Sequence, residues 1–283
     1  MKVVVTGAAG QLGQDVVLEL ERKNHQVIGT DRDKLDITIE ADVLAFMNEV
    51  KPDVILHCAA YTNVDAAEGN EELAYLINGL GTKYLAKAAK QAGAKLLYIS
   101  TDYVFDGTAT EPYEVGHPTA PLGAYGRTKL AGEEFVKEQL ENFYIVRTAW
   151  VFGAYGQNFV KTMLRLGKER GEVGVVHDQM GSPTYTVDLA KFMVELMETE
   201  KYGIYHATNS GICSWYDFAV EIFNQAGLHV KVNPLTTEEF PRPAARPKYS
   251  VLSKKKIDEQ GLTPLRDWKE ALAAYLKETN EKN

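Results

Sequence analysis

The first 31 residues, MKVVVTGAAGQLGQDVVLELERKNHQVIGTD, change hydrophobic period twice. Val3–Val5 is an unbroken β-branched run with no polar alternation, which predicts a parallel strand covered on both faces. After a glycine turn, apolar residues recur at helical spacing, and a second apolar run ends at Asp31. The cycle then repeats. Residues 52–60 (PDVILHCAA) predict a strand, 70–93 one long helix ended by Gly93, 94–100 a strand, 125–140 a helix and 143–149 another strand. Alternating strands and helices with right-handed crossovers give a doubly wound parallel sheet.

Beyond Trp150 the rhythm loosens. Helices are predicted at 156–169, 186–198, 214–226 and 266–278, with short strands at 173–176, 203–206 and 229–232. FPRPAARPKYS (240–250) holds three prolines and three cations, as an ordered loop or a ligand-contacting segment would. The terminal ETNEKN predicts a frayed tail. The expected fold is α/β, a doubly wound, Rossmann-like parallel sheet with a smaller C-terminal α/β domain. Residues 1–150 are expected to bind a dinucleotide and 151–283 mainly a substrate, with 181–206 returning to the first domain.

Composition narrows the function classes. The chain has 283 residues and a formal net charge of -8, which argues against general nucleic-acid binding. Cys58 and Cys213 are far apart and form no CxxC pair, so buried reduced thiols are expected. The six histidines show no HxxxH or HExxH spacing, and zinc is not expected. His57 lies in an apolar strand and reads as a packed core histidine, while His177 beside Asp178 reads as a loop hydrogen bond. With no signal peptide and no apolar stretch near the ~20 residues of a membrane span, a cytoplasmic protein is expected.

Gly7, Gly10 and Gly13 form GxxGxxG between the first strand and first helix. Three glycines alone say little. Between a strand and a helix they allow a pyrophosphate to approach backbone amides at a helix N-terminus. Asp31 ends the second strand, about 20 residues on, where an acid commonly holds ribose hydroxyls. Arg32 could instead pair with a 2'-phosphate or stand solvated. NADPH is favoured and NADH stays open.

Ligands in such sheets bind beyond the carboxyl ends of strands, which places Ser100 and Thr101 at the active edge. AYGRTKLAGEE (124–134) puts Tyr125 and Lys129 four apart, on one helical face. A hydroxyl, a phenol and an ammonium beside a nicotinamide suit carbonyl reduction. Free tyrosine, with a pKa of about 10, is a reluctant proton donor. A neighbouring ammonium and the oxidised nicotinamide are expected to bring it nearer working pH.

These residues resemble the extended short-chain dehydrogenase/reductase superfamily. More narrowly, STDYVFDG (100–107), AYGRTKLAGE (124–133), VRTAWVFG (146–153), NFVKTMLRL (158–166), DQMGSPTYTVDLA (178–190) and RPKYSVLS (246–253) resemble the dTDP-4-dehydrorhamnose reductase family, over nearly the whole chain. The resemblance implies NAD(P)H-dependent reduction of a 4-keto sugar nucleotide, giving dTDP-L-rhamnose for cell-surface polysaccharide. It assigns Tyr125 as proton donor, Lys129 as its helper and Thr101 as the hydroxyl orienting the carbonyl. Gln11 and Leu12 would offer amides to the pyrophosphate, Asp31 would sit by the ribose, and Asp36 and Ile37 near the adenine. Ala59, Ala60 and Tyr61 would line the cofactor, and Tyr125 and Lys129 would also reach it. Thr62, Val64, Ser100, Tyr103 and Trp150 would face the sugar nucleotide, together with Thr101 and Tyr125. Trp150 could equally be core, and Asp102 reads as structural. Arg242 and Arg246 could hold the diphosphate or stand in solvent. Some members dimerise through a metal held by glutamates. That set is not found here, so no metal is expected, and either a monomer or a homodimer.

Two rivals are weighed. A sugar-nucleotide dehydratase or epimerase of the superfamily usually has a glutamate base where this chain has Tyr103. A non-catalytic subunit, such as the regulatory partner of methionine adenosyltransferase, shares the fold but has no need of an intact Thr101–Tyr125–Lys129 set.

Overall fold

Val3, Val4 and Val5 are all fully buried, and they face two different cores. Val3 and Val5 pack with Val16, Leu20, Leu189 and Met193, whereas Val4 packs with Val43, Met47, Leu85 and Val136. A strand's two-residue period sends alternate side chains to opposite faces. Both faces are covered by helices, Gln11–Arg22 and Thr186–Met197 on one, and Glu40–Val50, Thr82–Ala92 and Ala124–Gln139 on the other. That double burial explains the unbroken hydrophobic runs. The computed structural model describes residues 1–281.

Six strands form one parallel sheet in the order Gly203–His206, Phe143–Thr148, Lys95–Thr101, Val54–His57, Lys2–Thr6, Gln26–Thr30. The order reverses direction between Lys2–Thr6 and Val54–His57. At such a switch point the loops diverge to opposite faces and leave a crevice at the carboxyl ends. The chain leaves the sheet after Thr148 and rejoins it through the Thr186–Met197 helix and the Gly203–His206 strand.

A separate core gathers Phe152, Val160, Phe218, Trp268 and Tyr275. Helices Phe159–Arg170, Trp215–Gln225 and Trp268–Glu281 surround it, beside a parallel pair of strands, Glu172–Val176 and Lys231–Leu235. Ser214 and Asp217 form a reciprocal cap at the start of Trp215–Gln225, each side chain accepting from the other's backbone N–H.

Three elements differ from expectation. The helix expected over 70–93 is interrupted: α-helix at Glu71–Tyr75, a π-helical stretch at Leu76–Gly81, and α-helix at Thr82–Ala92. Gly79 and Gly81 sit within that stretch, where an added Cβ would stand 3.0 Å from the Tyr75 ring or from Ile37. Helix Glu40–Val50 was not signalled, because its N-cap, Ile39, offers no side-chain cap. The helix expected from 156 starts at Phe159, since Gly156 has φ of 66° and Asn158 caps Lys161 N at 3.0 Å. The C-terminal helix continues through Glu281, so residues 278–281 are helical where a frayed tail is expected, and the last two residues of that expectation lie outside the described residues. Among the described residues, no helix is long and apolar enough to cross a membrane.

Candidate active site

The glycine turn closes on itself through steric necessity. A Cβ on Gly13 would lie 2.0 Å from the Gly7 carbonyl oxygen, and one on Gly7 (φ 67°) would lie 2.7 Å from Ala59 N. Gly10 N donates to Gly7 O at 3.0 Å, turning the chain into Gln11–Arg22. Only residues without Cβ fit both contacts. Asp31 accepts from Ala9 N with both carboxylate oxygens, each at 3.1 Å, and so braces the turn from the next strand. Arg32 is 87% exposed and reaches Asp36 at 3.4 Å. Asp36 is tied to the Thr38 hydroxyl at 2.6 Å and to Thr38 N at 2.9 Å, which hold its carboxyl below the usual range.

From this turn a cavity of about 800 Å³ runs along the sheet edge to the helix carrying Tyr125. Gly7, Gly10, Gln11, Leu12, Gly13, Asp31, Arg32, Asp36, Ile37, Ala59 and Ala60 line one end. Thr62, Val64, Ser100, Thr101, Tyr103, Tyr125, Lys129 and Trp150 line the other. Tyr61 does not line the cavity: its ring packs with Ala67, Ala74, Ala124 and Tyr125, and its backbone is clipped by Asn78. The family resemblance instead implies Tyr61 on the cofactor.

The Thr101 hydroxyl donates to Asp102 Oδ1 at 3.0 Å, accepts from Tyr103 N at 3.2 Å, and favours the ionised form of the Tyr125 phenol. Tyr103 meets Tyr125 edge-on, with ring centroids 5.7 Å apart. Lys129 is buried, its ammonium 4.1 Å from the centre of the Tyr98 ring. Here the electrostatics correct an expectation. Burial, and then the Asp102 carboxylate, hold the Tyr125 phenol above its ordinary pKa, with Thr101 acting the other way. Burial pushes the Lys129 ammonium down to about 7, against the pull of Glu133 and Cys58. Desolvation disfavours the charged form of both groups, so in this state Lys129 does not bring the phenol toward neutral pH. Asp102, likewise buried, is pushed up to about 6.

Ser100 lines the cavity, and its hydroxyl donates to Glu133 Oε1 at 2.5 Å. Glu133 is fully buried and paired with Arg147, whose Nε and Nη2 donate at 2.9 and 2.7 Å. His57 is a core residue, between Thr6 Oγ1 at 2.8 Å and Thr82 Oγ1 at 3.0 Å, and burial pushes it down to about 3. Asp178 accepts from Thr237 N and Oγ1 rather than facing His177, whose N–H donates to Leu235 O. Trp150 has a left-handed φ of 50°, stacks on Trp215 with centroids 3.6 Å apart, and lies over Gly181, where a Cβ would clash at 2.5 Å. One indole face is therefore occupied by protein. Arg242 and Arg246 both pair with Asp65, Arg242 from an exposed position and Arg246 from a half-buried one.

Two parts of the site were missed. Asn78, in the π-helical stretch, donates to Tyr61 O and Thr128 Oγ1 and accepts from Tyr61 N, tying the Tyr125 helix to the third strand's loop. Nothing in the sequence marks it. The loop before Asn158 folds over the glycine turn: Gln11 Nε2 donates to Val151 O at 3.3 Å, and Asn158 Nδ2 donates to Gln11 Oε1 at 2.9 Å. An Asn before a helical apolar run was the available signal there.

Fold and site together define a nucleotide-dependent oxidoreductase of the short-chain dehydrogenase/reductase type. The chain belongs to the RmlD substrate binding domain family, which matches residues 1–281. It is 46% identical to a dTDP-4-dehydrorhamnose reductase from Streptomyces griseus, covering 95% of this chain and 91% of that protein. A crystal structure of a dTDP-4-dehydrorhamnose reductase from Clostridium acetobutylicum is 52% identical, with a TM-score of 0.97 over 99% of this chain and 100% of the other. Another, from Bacillus anthracis in complex with NADP, is 48% identical, with a TM-score of 0.96 over 98% and 99%.

Proposed function

We propose that this protein reduces the 4-keto group of dTDP-4-dehydro-L-rhamnose, with NADPH as cofactor, to give dTDP-L-rhamnose. The observation that carries the reading is one cavity whose walls include both the glycine turn and the Thr101–Tyr125 pair. The cradle fits a dinucleotide: Gly7 and Gly13 leave no room for side chains, and the Gln11–Arg22 N-terminus has no side-chain cap to compete for its amides. Asp31 is engaged by Ala9 N, and exposed Arg32 stands beside it, a pairing that suits a 2'-phosphate better than a bare ribose.

NADPH supplies a hydride to the carbonyl carbon. The chain's own residues manage the oxygen, where negative charge grows. Tyr125 donates the phenolic proton to that oxygen, and its raised pKa keeps the proton in place until the charge appears. Thr101 orients the carbonyl. Its proton points to Asp102 in this state, so it must turn toward the ketone, or receive a hydrogen bond from a protonated Asp102. Lys129 lies one helical turn below Tyr125, where its ammonium would stabilise the phenolate left behind. A dehydratase would need a carboxylate base after Asp102, and Tyr103, its phenol pushed above the ordinary value by burial, is unsuited to that work.

The test is to incubate purified protein with NADPH and the 4-keto sugar nucleotide and follow the absorbance of the reduced cofactor. Substrate-dependent oxidation with dTDP-L-rhamnose as product is the expected result. No oxidation, with another protein co-purifying, would favour a regulatory subunit.

A further inference from the structure

Among the described residues, three that are not glycine have a left-handed backbone, and Trp150, at φ 50°, is the one that lines the cavity. A bulky side chain keeps that conformation only where its surroundings hold it. Trp215 stacks on the indole, Thr184 N donates to Trp150 O at 3.1 Å, and Val151 pairs with Thr184 in parallel. A further hold comes from the nucleotide end of the cavity, where Gln11 Nε2 donates to Val151 O at 3.3 Å.

Gln11 opens helix Gln11–Arg22 on the glycine turn, and its side-chain amide has one orientation that satisfies both neighbours. A carbonyl only accepts, so Nε2 must face Val151 O, which leaves Oε1 to accept from Asn158 Nδ2 at 2.9 Å. Asn158 is fixed in the same way. Its Oδ1 caps Lys161 N at 3.0 Å, so its Nδ2 carries the bonds to Gln11 and to Gly153 O, the latter at 2.8 Å. Lys161 Nζ donates to Ala154 O and Gly156 O, at 2.7 and 2.8 Å. The loop from Val151 to Asn158 is thus tied to helix Phe159–Arg170 and to the glycine turn alike. Val151, Gly156 and Gln157 line the cavity together with Gln11 and Trp150.

One short chain of hydrogen bonds therefore joins the two ends of the cavity. Resting on the sugar-nucleotide reading above, we infer that Asn158 is a positioning residue for the sugar end: acting through Gln11, it lets the nucleotide seated on the glycine turn fix the backbone that carries the Trp150 indole. Such coupling is reciprocal in binding free energy, so coenzyme and sugar nucleotide each strengthen the binding of the other by one common factor. A sugar held firmly only when the coenzyme is in place is a sugar that meets its hydride donor.

Calorimetric titration of the full chain with dTDP-L-rhamnose, with and without saturating NADPH, tests this. Both ligands are already reduced and cannot react with each other. In wild type, NADPH should tighten dTDP-L-rhamnose by about fivefold or more, the lower end of coupling between two sites, and dTDP-L-rhamnose should tighten NADPH equally. Asn158→Ser keeps a cap for Lys161 N but cannot reach Gln11, and Gln11→Met keeps the backbone and the length but loses both amide bonds. Each should bring the common factor down to about one, and Asn158→Ser should bind NADPH alone as wild type does. If Asn158→Ser does not fold, Gln11→Met carries the test. A merely structural role would lower the melting temperature and leave the factor intact, and that result overturns the inference. A wild type that binds dTDP-L-rhamnose with no coupling overturns it too, while leaving the substrate reading in place. No binding of dTDP-L-rhamnose overturns both.

Discussion

Ser100 Oγ donates to Glu133 Oε1 at 2.5 Å, and the same carboxylate receives a bidentate guanidinium from Arg147. This joins the Lys95–Thr101 strand, the Ala124–Gln139 helix and the Phe143–Thr148 strand under the Tyr125 site. Glu133 and Arg147 have side-chain exposures of 0% and 3%. Glu133→Gln leaves the guanidinium buried without its counter-charge. It should cost about 3–5 kcal/mol of stability, while replacing both partners with apolar residues should cost much less. Urea denaturation of the single and double variants checks this. An equal loss in both would show that packing, not charge, dominates.

Tyr125→Phe should leave NADPH affinity nearly intact and cut turnover by roughly 10²–10⁴-fold, the range for a positioned acid. Steady-state kinetics with a cofactor-binding titration measures both. Unchanged turnover would remove Tyr125 from the mechanism.

Gly13→Ala should damage the nucleotide end, because its Cβ would stand 2.0 Å from Gly7 O. Loss of NADPH binding and a lower melting temperature are expected. Gly69→Ala, with nothing within 4 Å of the new Cβ, is the control and should be near neutral. Retained cofactor binding in Gly13→Ala would mean that the turn is not the cradle.

Stability should fall in mild acid. Burial pushes His57 and His206 down to about 3, from 6.5 in the unfolded chain. Below pH 6.5 the unfolded state therefore binds more protons, and each histidine costs about 1.4 kcal/mol of stability per pH unit until about pH 3. Asp102 has the opposite sign: pushed up to about 6 from 3.8, it holds a proton when folded that the unfolded chain releases, and offsets one histidine between those values. Urea midpoints of wild type and His206→Gln at pH 7, 6 and 5 should show a shallower acid loss in the variant. Parallel slopes would exclude His206 as a source.

Much of this molecule was legible along the chain because its signals are local. Unbroken β-branched runs report strands covered twice, GxxGxxG reports a turn that excludes Cβ atoms, and a Tyr125–Lys129 spacing of one helical turn reports a shared face. The interrupted helix at Leu76–Gly81 was not legible, since a π-helical stretch depends on what Gly79 and Gly81 touch across space. Asn78 was silent for the same reason, its partners lying on the Tyr61 loop and the Tyr125 helix.

The sequence by itself determined the order of elements, the parallel sheet and the residue types at its carboxyl edge. Tertiary structure alone decided that Ser100 turns to Glu133, that Tyr61 leaves the cavity, and that Arg242 and Arg246 meet Asp65. It also decided the charge states, since burial raises the Tyr125 phenol and lowers the Lys129 ammonium. Periodicity is a property of neighbours along the chain. Burial, hydrogen-bond partners and pKa values belong to groups that are neighbours only after folding.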